Sequence, residues 1–493
     1  MMRRLPDVHF APVLRATYCA SQSILVSAIY ASSLIASTFV DNAHADNVTL
    51  EAAWVAAYRS NPTLASERAK LRATDEQVSL ALSNWRPSVD AVSSVGHLDQ
   101  SLPNQTFFGS NDFAGTPRGY GVQVKQPLFR GFRTTEEIAA AEKQVLAERA
   151  LLDVTEQQLF LDTATAFLDL VRDIALVDAT RKDETVLQKK LDEVQVRYSA
   201  GDLTQTDVHQ AQSRLARSHV QRVQASNAIR LDAARYRRLT GLEVPAVPVE
   251  PKLSLEIPAT LDEALDQAGA QNPAVISALR TVEKASAEVG LAKGALLPEL
   301  DLVFNANRNW AQSSTIPGRN DTVEVQLQLN VPLYRAGADY SRTRAAVETA
   351  AQRDDDLAEA RRKAQESAES AWQAMLSAQA SFGAAQEELD SATLAVEGVR
   401  EESRVGTRTT IDVLNAEQEL LDSRRELVRS KHDQDLAILQ LRAGVGRLTA
   451  SALHLPTQLY DPQQHYDEVR NKWFGIRTKS SQEVVAHPEK KSP

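Results

Sequence analysis

The chain has 493 residues, a formal charge of −10 and a single cysteine. Its acidic balance and lack of a basic patch argue against a nucleic-acid partner, because nothing would release counterions from a phosphate backbone. Only 5% of residues are aromatic while Ala, Gln, Glu, Leu and Arg abound, which favours long helices over a sandwich or a doubly wound sheet.

The first 45 residues read as a cleaved export signal. Arg3, Arg4 and Arg15 supply positive charge, Ile24 to Val40 is a run of apolar and small residues, and Ala43-His44-Ala45 fits a small-x-small cleavage site. A membrane anchor is the alternative, but 17 residues with five serines and threonines make a poor one. Cys19 lies inside this segment, so the mature chain is expected to have no disulfide and no thiolate metal site. Lipidation at Cys19 is disfavoured, since it precedes the apolar run and follows the bulky Tyr18.

Beyond the signal the chain repeats itself. LEAAWVAAYRSNP at Leu50 to Pro62 returns as LDEALDQAGAQNP at Leu261 to Pro273. QPLFRGF at Gln126 to Phe132 returns as VPLYRAG at Val331 to Gly337, and YSAGDLTQTDV at Tyr198 to Val208 as SRVGTRTTIDV at Ser403 to Val413. Three ordered landmarks in nearly constant register define two repeats, residues 46–242 and 259–448, joined by a proline-rich linker at 243–258.

In each repeat a helix of about 24 residues follows the Asn-Pro start. Period-two stretches come next. Val323, Val325, Leu327, Leu329 and Val331 alternate with polar residues, as do Leu300, Leu302, Phe304 and Ala306, with Val303 off the pattern. Tyr120, Val122 and Val124 are the first-repeat counterpart, and Val89, Ala91, Ser93 and Val95 a weaker one. Such alternation fits a membrane barrel strand or a sheet packed on one face. About four strands per chain cannot close a barrel, so strands spanning a membrane require several chains to share one. The segments Leu102 to Arg118 and Trp310 to Asp321 read as exposed hairpin tips, and Pro127 and Pro332 as strand-to-helix turns.

Long helices follow, at about Thr134–Tyr198 and Ala338–Val405, each roughly 100 Å. The second carries a heptad row of Ala350, Leu357, Ala364, Ala371, Ala378, Ala385, Ala392 and Val399, with Ala368, Met375, Phe382, Leu389 and Val396 as its companion. The first has a shorter row from Ile138 to Ala166. Gly201 and Gly406 end the long helices as hairpin turns, and returning helices run from about Thr204 to Leu239 and Thr407 to Ala443. End to end, a short and a returning helix nearly match one long helix. Residues 449–476 hold a short helix within His465–Gly475, with Tyr466, Val469, Trp473 and Phe474 on its apolar side, expected to pack at the waist; 477–493 reads as a disordered tail.

This layout resembles the TolC family of outer-membrane efflux and secretion channels over essentially all of 46–449, most specifically at VGTRTTIDVL, Val405 to Leu414. The resemblance implies a mainly α fold with a membrane β part, in which duplicated helical hairpins form a trimeric α-barrel topped by a shared 12-stranded β-barrel. It implies a homotrimer in the outer membrane with a large periplasmic part, working with an inner-membrane transporter of ABC or RND type and a periplasmic adaptor. By position, Asp412 would line a periplasmic gate, Arg408 would hold it closed, and Thr206 and Asp207 would be its partners. Asn415 stands where the family often has a second acidic residue, and Ser403 where it often has a tyrosine. From the residues alone, Arg408 and Asp412 also fit pairing along one helix, and Asp207 and Asp412 fit helix-dipole stabilisation.

No enzyme constellation emerges. The nine histidines show no metal spacing, and nucleophile and phosphate-loop motifs are absent, so no cofactor is expected. The rival reading is a periplasmic coiled-coil adaptor or scaffold, which would share the signal and helical hairpins but lack two symmetric pairs of alternating strands.

Overall fold

The computed structural model describes residues 49–100, 113–244, 249–251, 256–311 and 318–478, all within one unit. The export signal, both hairpin tips over 101–112 and 312–317, parts of the linker and the tail from 479 lie outside the described residues.

The first repeat opens with α1 (Leu50–Ser60), capped by Thr49 and buried along Leu50, Ala53, Trp54, Ala57 and Tyr58. After the Asn-Pro comes α2 (Pro62–Ser83), then the strands β1 (Ser88–Val95), β2 (Leu98–Gln100), β3 (Phe113–Gly115) and β4 (Arg118–Arg130). The 67-residue α3 (Arg133–Ser199) and its return α4 (Gln205–Thr240) complete the repeat. The second repeat gives α5 (Leu261–Gln271), α6 (Pro273–Gly294), β5 (Glu299–Trp310), β6 (Arg319–Asn330), α7 (Ala338–Arg404, 67 residues) and α8 (Thr410–Gly444). A short α9 (Pro462–Arg470) follows.

Each Asn-Pro start does two jobs. Asn61 Oδ1 accepts from the Thr63 backbone at 2.9 Å and caps α2, while its Nδ2 donates to the Leu239 carbonyl at 3.0 Å, at the end of α4. Asn272 repeats this, capping α6 through Ala274 N at 2.9 Å and donating to Gly444 O at the end of α8 at 3.0 Å. One amide thus satisfies orphan groups on two abutting helix ends. Each short helix and returning helix therefore form one column matching the adjacent long helix.

Four columns make a single layer. The α2/α4 column packs on α3, α3 on the α6/α8 column, and that column on α7. Gly131 and Gly294 let the start of α3 meet the end of α6: a Cβ on either would lie 2.4 Å from the other's carbonyl oxygen. The heptad of α7 is buried as its spacing predicts, with Ala371 and Met375 packed against Ala264, Ala437, Leu441 and Val445. Val145, Leu152, Leu159 and Ala166 are buried on α3.

The strands form an antiparallel sheet in the order β1-β4-β5-β6, in which β1 and β6 are open edges among the described residues. Register aligns Val89, Val124, Phe304 and Val325 in one row, and Ala91, Val122, Ala306 and Val323 in the next. Asp90, Gln123, Asn305 and Glu324 line up on the opposite face. Val303, off the sequence alternation, falls on the polar face yet is buried.

Three expectations need correction. Pro127 is inside β4, at a register shift between Pro127 and Phe129, where its missing N–H disturbs the ladder least; the turn itself is Gly131-Phe132, both at positive φ. Pro332 does lie in the connection after β6, although the left-handed residues there are Ala336 and Gly337. The supposed tips are partly strand, since Phe113–Gly115 pairs with Leu98–Gln100, and Arg118, Trp310 and Arg319 belong to the main sheet. In the waist segment, α9 ends at Arg470, leaving Trp473 and Phe474 exposed beyond it. His465 anchors α9 instead, 3.0 Å from the fully buried Asp75 of α2.

Candidate functional site at the hairpin tips

At the ends of the helical layer away from the sheet, α3 turns into α4 and α7 into α8. Both turns close alike. Gly201 (φ +91°) and Gly406 (φ +82°) take the left-handed conformation, and the next residue bonds back across the turn, Asp202 N to Arg197 O at 2.9 Å and Thr407 N to Glu402 O at 3.0 Å. This is the glycine closure that frees a chain to reverse.

The returning helices then start with matching capping boxes. Thr204 is the cap of α4, and Asp207 accepts from its backbone at 2.9 Å and its hydroxyl at 2.7 Å. Thr409 and Asp412 reproduce both distances at the start of α8. Hydrogen bonds from Thr204 and Thr409 hold these two carboxyls below their ordinary 3.8. The helix-end role anticipated for both aspartates is thus present in the single chain.

Arg408 does not pair along the helix. It precedes α8 and turns to Glu402 of its own hairpin at 2.7 Å, and none of its bonds among the described residues reaches Thr206 or Asp207. Both of those sit in the first turn of α4. Asn415, by contrast, does join the two hairpins: Arg214 of α4 donates to Asn415 Oδ1 at 2.6 Å and to the Leu414 carbonyl at 3.2 Å. Further up, Arg425 of α8 donates to Gln221 of α4 at 2.6 Å. Neither Arg214 nor Arg425 stands out in the sequence. A shift of 205 residues carries Arg214 onto Glu419, so the duplication gives no signal for it.

Beside the tip, a cavity of about 270 Å³ opens between α3, α7 and α8, lined by Asp183, Arg400, Glu417 and Arg424. Burial pushes Asp183 up to about 6 against the pull of Arg425 and Arg424. Arg400 and Glu417 pair at 3.2 Å.

Comparison with known proteins decides what this scaffold is. The outer membrane efflux protein profile matches residues 55–242 and 264–447. The chain belongs to the outer membrane efflux protein family. It is 30% identical over 454 residues to the outer membrane efflux protein BepC of Brucella suis, covering 91% of this chain and 96% of that one. It is 23% identical to outer membrane protein TolC of Escherichia coli, covering 80% and 81%. The alkaline protease secretion protein AprF of Pseudomonas aeruginosa is 25% identical, with 68% and 70% covered. In fold it is similar to the outer membrane protein VceC of Vibrio cholerae, with a TM-score of 0.71, 19% identity, and 80% and 96% covered. The Campylobacter jejuni CmeC outer membrane channel gives 0.73 at 15% identity, covering 86% and 89%. The chain is therefore an outer-membrane efflux or secretion channel-tunnel with a large periplasmic helical part, and the TolC-like fold implied by the resemblance is the one observed.

Proposed function

We propose that three copies close one conduit, a 12-stranded barrel in the outer membrane continued by a 12-column helical barrel in the periplasm. One observation carries this reading: both layers of the single chain are open at both edges. Among the described residues β1 and β6 each pair on one side only, and an open edge in lipid leaves backbone groups unpaired. The outer helical columns, α4 on one side and α7 on the other, expose Val220 and Leu231, and Leu376 and Leu394. Pairing β6 with the next copy's β1, and α7 with the next copy's α2/α4 column, satisfies both edges at once. Four strands per copy reach about twelve in three copies, enough for a lumen, whereas eight would be filled by side chains.

In this reading the conduit receives substrate from an inner-membrane transporter of ABC or RND type through a periplasmic adaptor, has no catalytic role, and needs no cofactor. The hairpin tips are its periplasmic gate. Asp412 contributes a ring of three carboxylates, Asn415 replaces a second acidic ring with neutral amides, and Thr206 and Asp207 line the entrance from the other hairpin, with Arg408 held on Glu402 of its own. The assembly is tested by native mass measurement of the mature protein extracted from outer membranes. A trimer is expected, and a stable monomer would sink the shared barrel.

A further inference from the structure

The lipid-facing side of the sheet ends in two rows that conduction does not require. Moving away from the helices, past the row containing Val122, Ala306 and Val323, the same face carries Tyr120, Arg308 and Asp321, and then Arg118, Trp310 and Arg319. Arg308 forks onto Asp321 at 2.7 and 3.0 Å and donates to the Tyr120 hydroxyl at 3.2 Å. Arg319 reaches the same Asp321 at 3.0 Å. The Arg118 guanidinium lies 5.6 Å from the Trp310 ring centre, and the Tyr120 ring packs against Trp310 at 5.8 Å. β1 contributes Ser93 and Val95 to these rows and no charge. Arg308 and Arg319 thus share one carboxylate while Arg118 lies over the indole, and among the described residues of these rows three guanidiniums against one carboxylate leave two net positive charges on an outward face.

Below them the outward face is apolar from Val323 to Leu329, roughly 20 Å of strand. Arginine on a lipid-facing strand is costly at mid-membrane and nearly free at the interface, and tyrosine and tryptophan favour that same level. The two rows thus sit at headgroup height, at the end of the sheet remote from the helices. In an outer-membrane channel that end meets the outer leaflet.

We propose that this belt docks the phosphates of lipid headgroups in the outer leaflet, a role that rests on the outer-membrane channel reading. Arg118 and Arg319 flank Trp310 from the two neighbouring strands, whose backbones lie about 10 Å apart across two strand spacings. Guanidinium forks match phosphate oxygens bidentately, while the indole between them rests on the sugar or acyl boundary. Asp321 holds Arg308 upright in the row beneath.

The test uses the full channel in detergent, with lipid retention read by native mass spectrometry. The probes are bisphosphorylated lipid A, its dephosphorylated form, and inorganic phosphate. The wild type is expected to retain the phosphorylated lipid about tenfold or more above the dephosphorylated one, as two net charges at a headgroup surface imply. Arg118→Gln/Arg319→Gln, which keeps the Arg308–Asp321 pair, should lose that preference while still assembling and conducting. Lys125→Gln, on the lumen face beside Asp301, should keep it. The belt is overturned by equal retention of the two lipids, by a double variant that keeps the preference, by a Lys125 variant that loses it, or by inorganic phosphate that displaces the lipid at matching concentration. Conductance in planar bilayers separates the two readings. A conducting wild type without phosphate preference overturns the belt alone; a non-conducting wild type overturns the channel reading and the belt with it.

Discussion

At the residue scale, the tip shows which side chains can resist opening. Arg408 spends its guanidinium on Glu402 within one hairpin, so that bond survives if the two hairpins separate. Arg214 bonds Asn415 and Leu414 across the hairpins, 200 residues away in sequence, so separation must break both bonds. Hydrogen bonds with one charged partner are worth about 1.5–3 kcal/mol, less where solvent reaches them, as it does here. Arg214→Ala should therefore raise single-channel conductance in planar bilayers more than Arg408→Ser does. The reverse order would place the decisive link between copies, at Arg408. The helix-end role of Asp207 and Asp412 was legible because a carboxylate soon after a turn glycine is a local pattern; the capping boxes themselves emerged with the structure. The Arg214–Asn415 bond was not, because it depends on two hairpins lying side by side, and neither residue type nor spacing encodes that.

At the scale of elements, periodicity carried most of the fold. Seven-residue spacing fixed the buried face of α7, and that helix runs unbroken through Gly383 and Gly398, which both lie in open space on its exposed side. Alanine along that seam lets α7 approach α5 and α8 closely. Ala371→Phe must push into Met375, Ala264 and Leu441, and overpacking of this kind typically costs about 1–3 kcal/mol. The assembled channel should melt several degrees lower, read by heat-induced loss of the oligomer; an unchanged transition would remove Ala371 from the tight contact. Where elements were misjudged, a local hydrogen bond won. α8 starts at Thr410 and not at Thr407 because Thr407 closes the turn, with both its N–H and its hydroxyl on the Glu402 carbonyl. Pro127 read as a turn because proline is usually excluded from strands, yet a bulge tolerates it.

At the scale of the whole molecule, duplication made the layer legible: two equal repeats, each a long column and a stacked column. What the repeat could not reveal is how the halves grip one another, since each half alone contains no partner for that surface. Midway along the α3–α8 seam the grip is ionic. His432 of α8, largely buried, places Nε2 3.0 Å from Asp169 of α3 and Nδ1 2.9 Å from Asp433. Arg172 faces the cluster from α3, bonding Asp169 and Asp173 at 2.8 Å each. From α4, Arg235 lies 3.5 Å from Asp169 and Asp232 lies 3.9 Å from Arg172; on α8, Lys431 pairs with Asp435 at 2.9 Å. Burial opposes the charged ring of His432, but the carboxylates of Asp169 and Asp433 beside it outweigh burial and Arg172 and raise it above its ordinary 6.5. Burial likewise opposes the Asp169 carboxylate, but His432 and the two arginines hold it below 3.8.

The signs of these shifts set the pH window. A raised histidine stabilises fully below 6.5 and loses that contribution as pH climbs through its folded value; a lowered aspartate stabilises above 3.8 and loses its contribution on acidification below that. The seam is thus held best between those limits. Other buried carboxyls also respond to alkali, among them Glu156, raised to about 7 chiefly by burial, so the wild-type curve alone is not diagnostic. The difference between the wild type and His432→Gln isolates the histidine. The wild type should be more stable near pH 6 by about 1–3 kcal/mol, the range for a hydrogen bond with charged partners. That advantage should shrink steadily toward pH 9, as measured by thermal unfolding of the two proteins in parallel. Curves that stay a constant distance apart would mean that His432 fills space at the seam and carries no charge there.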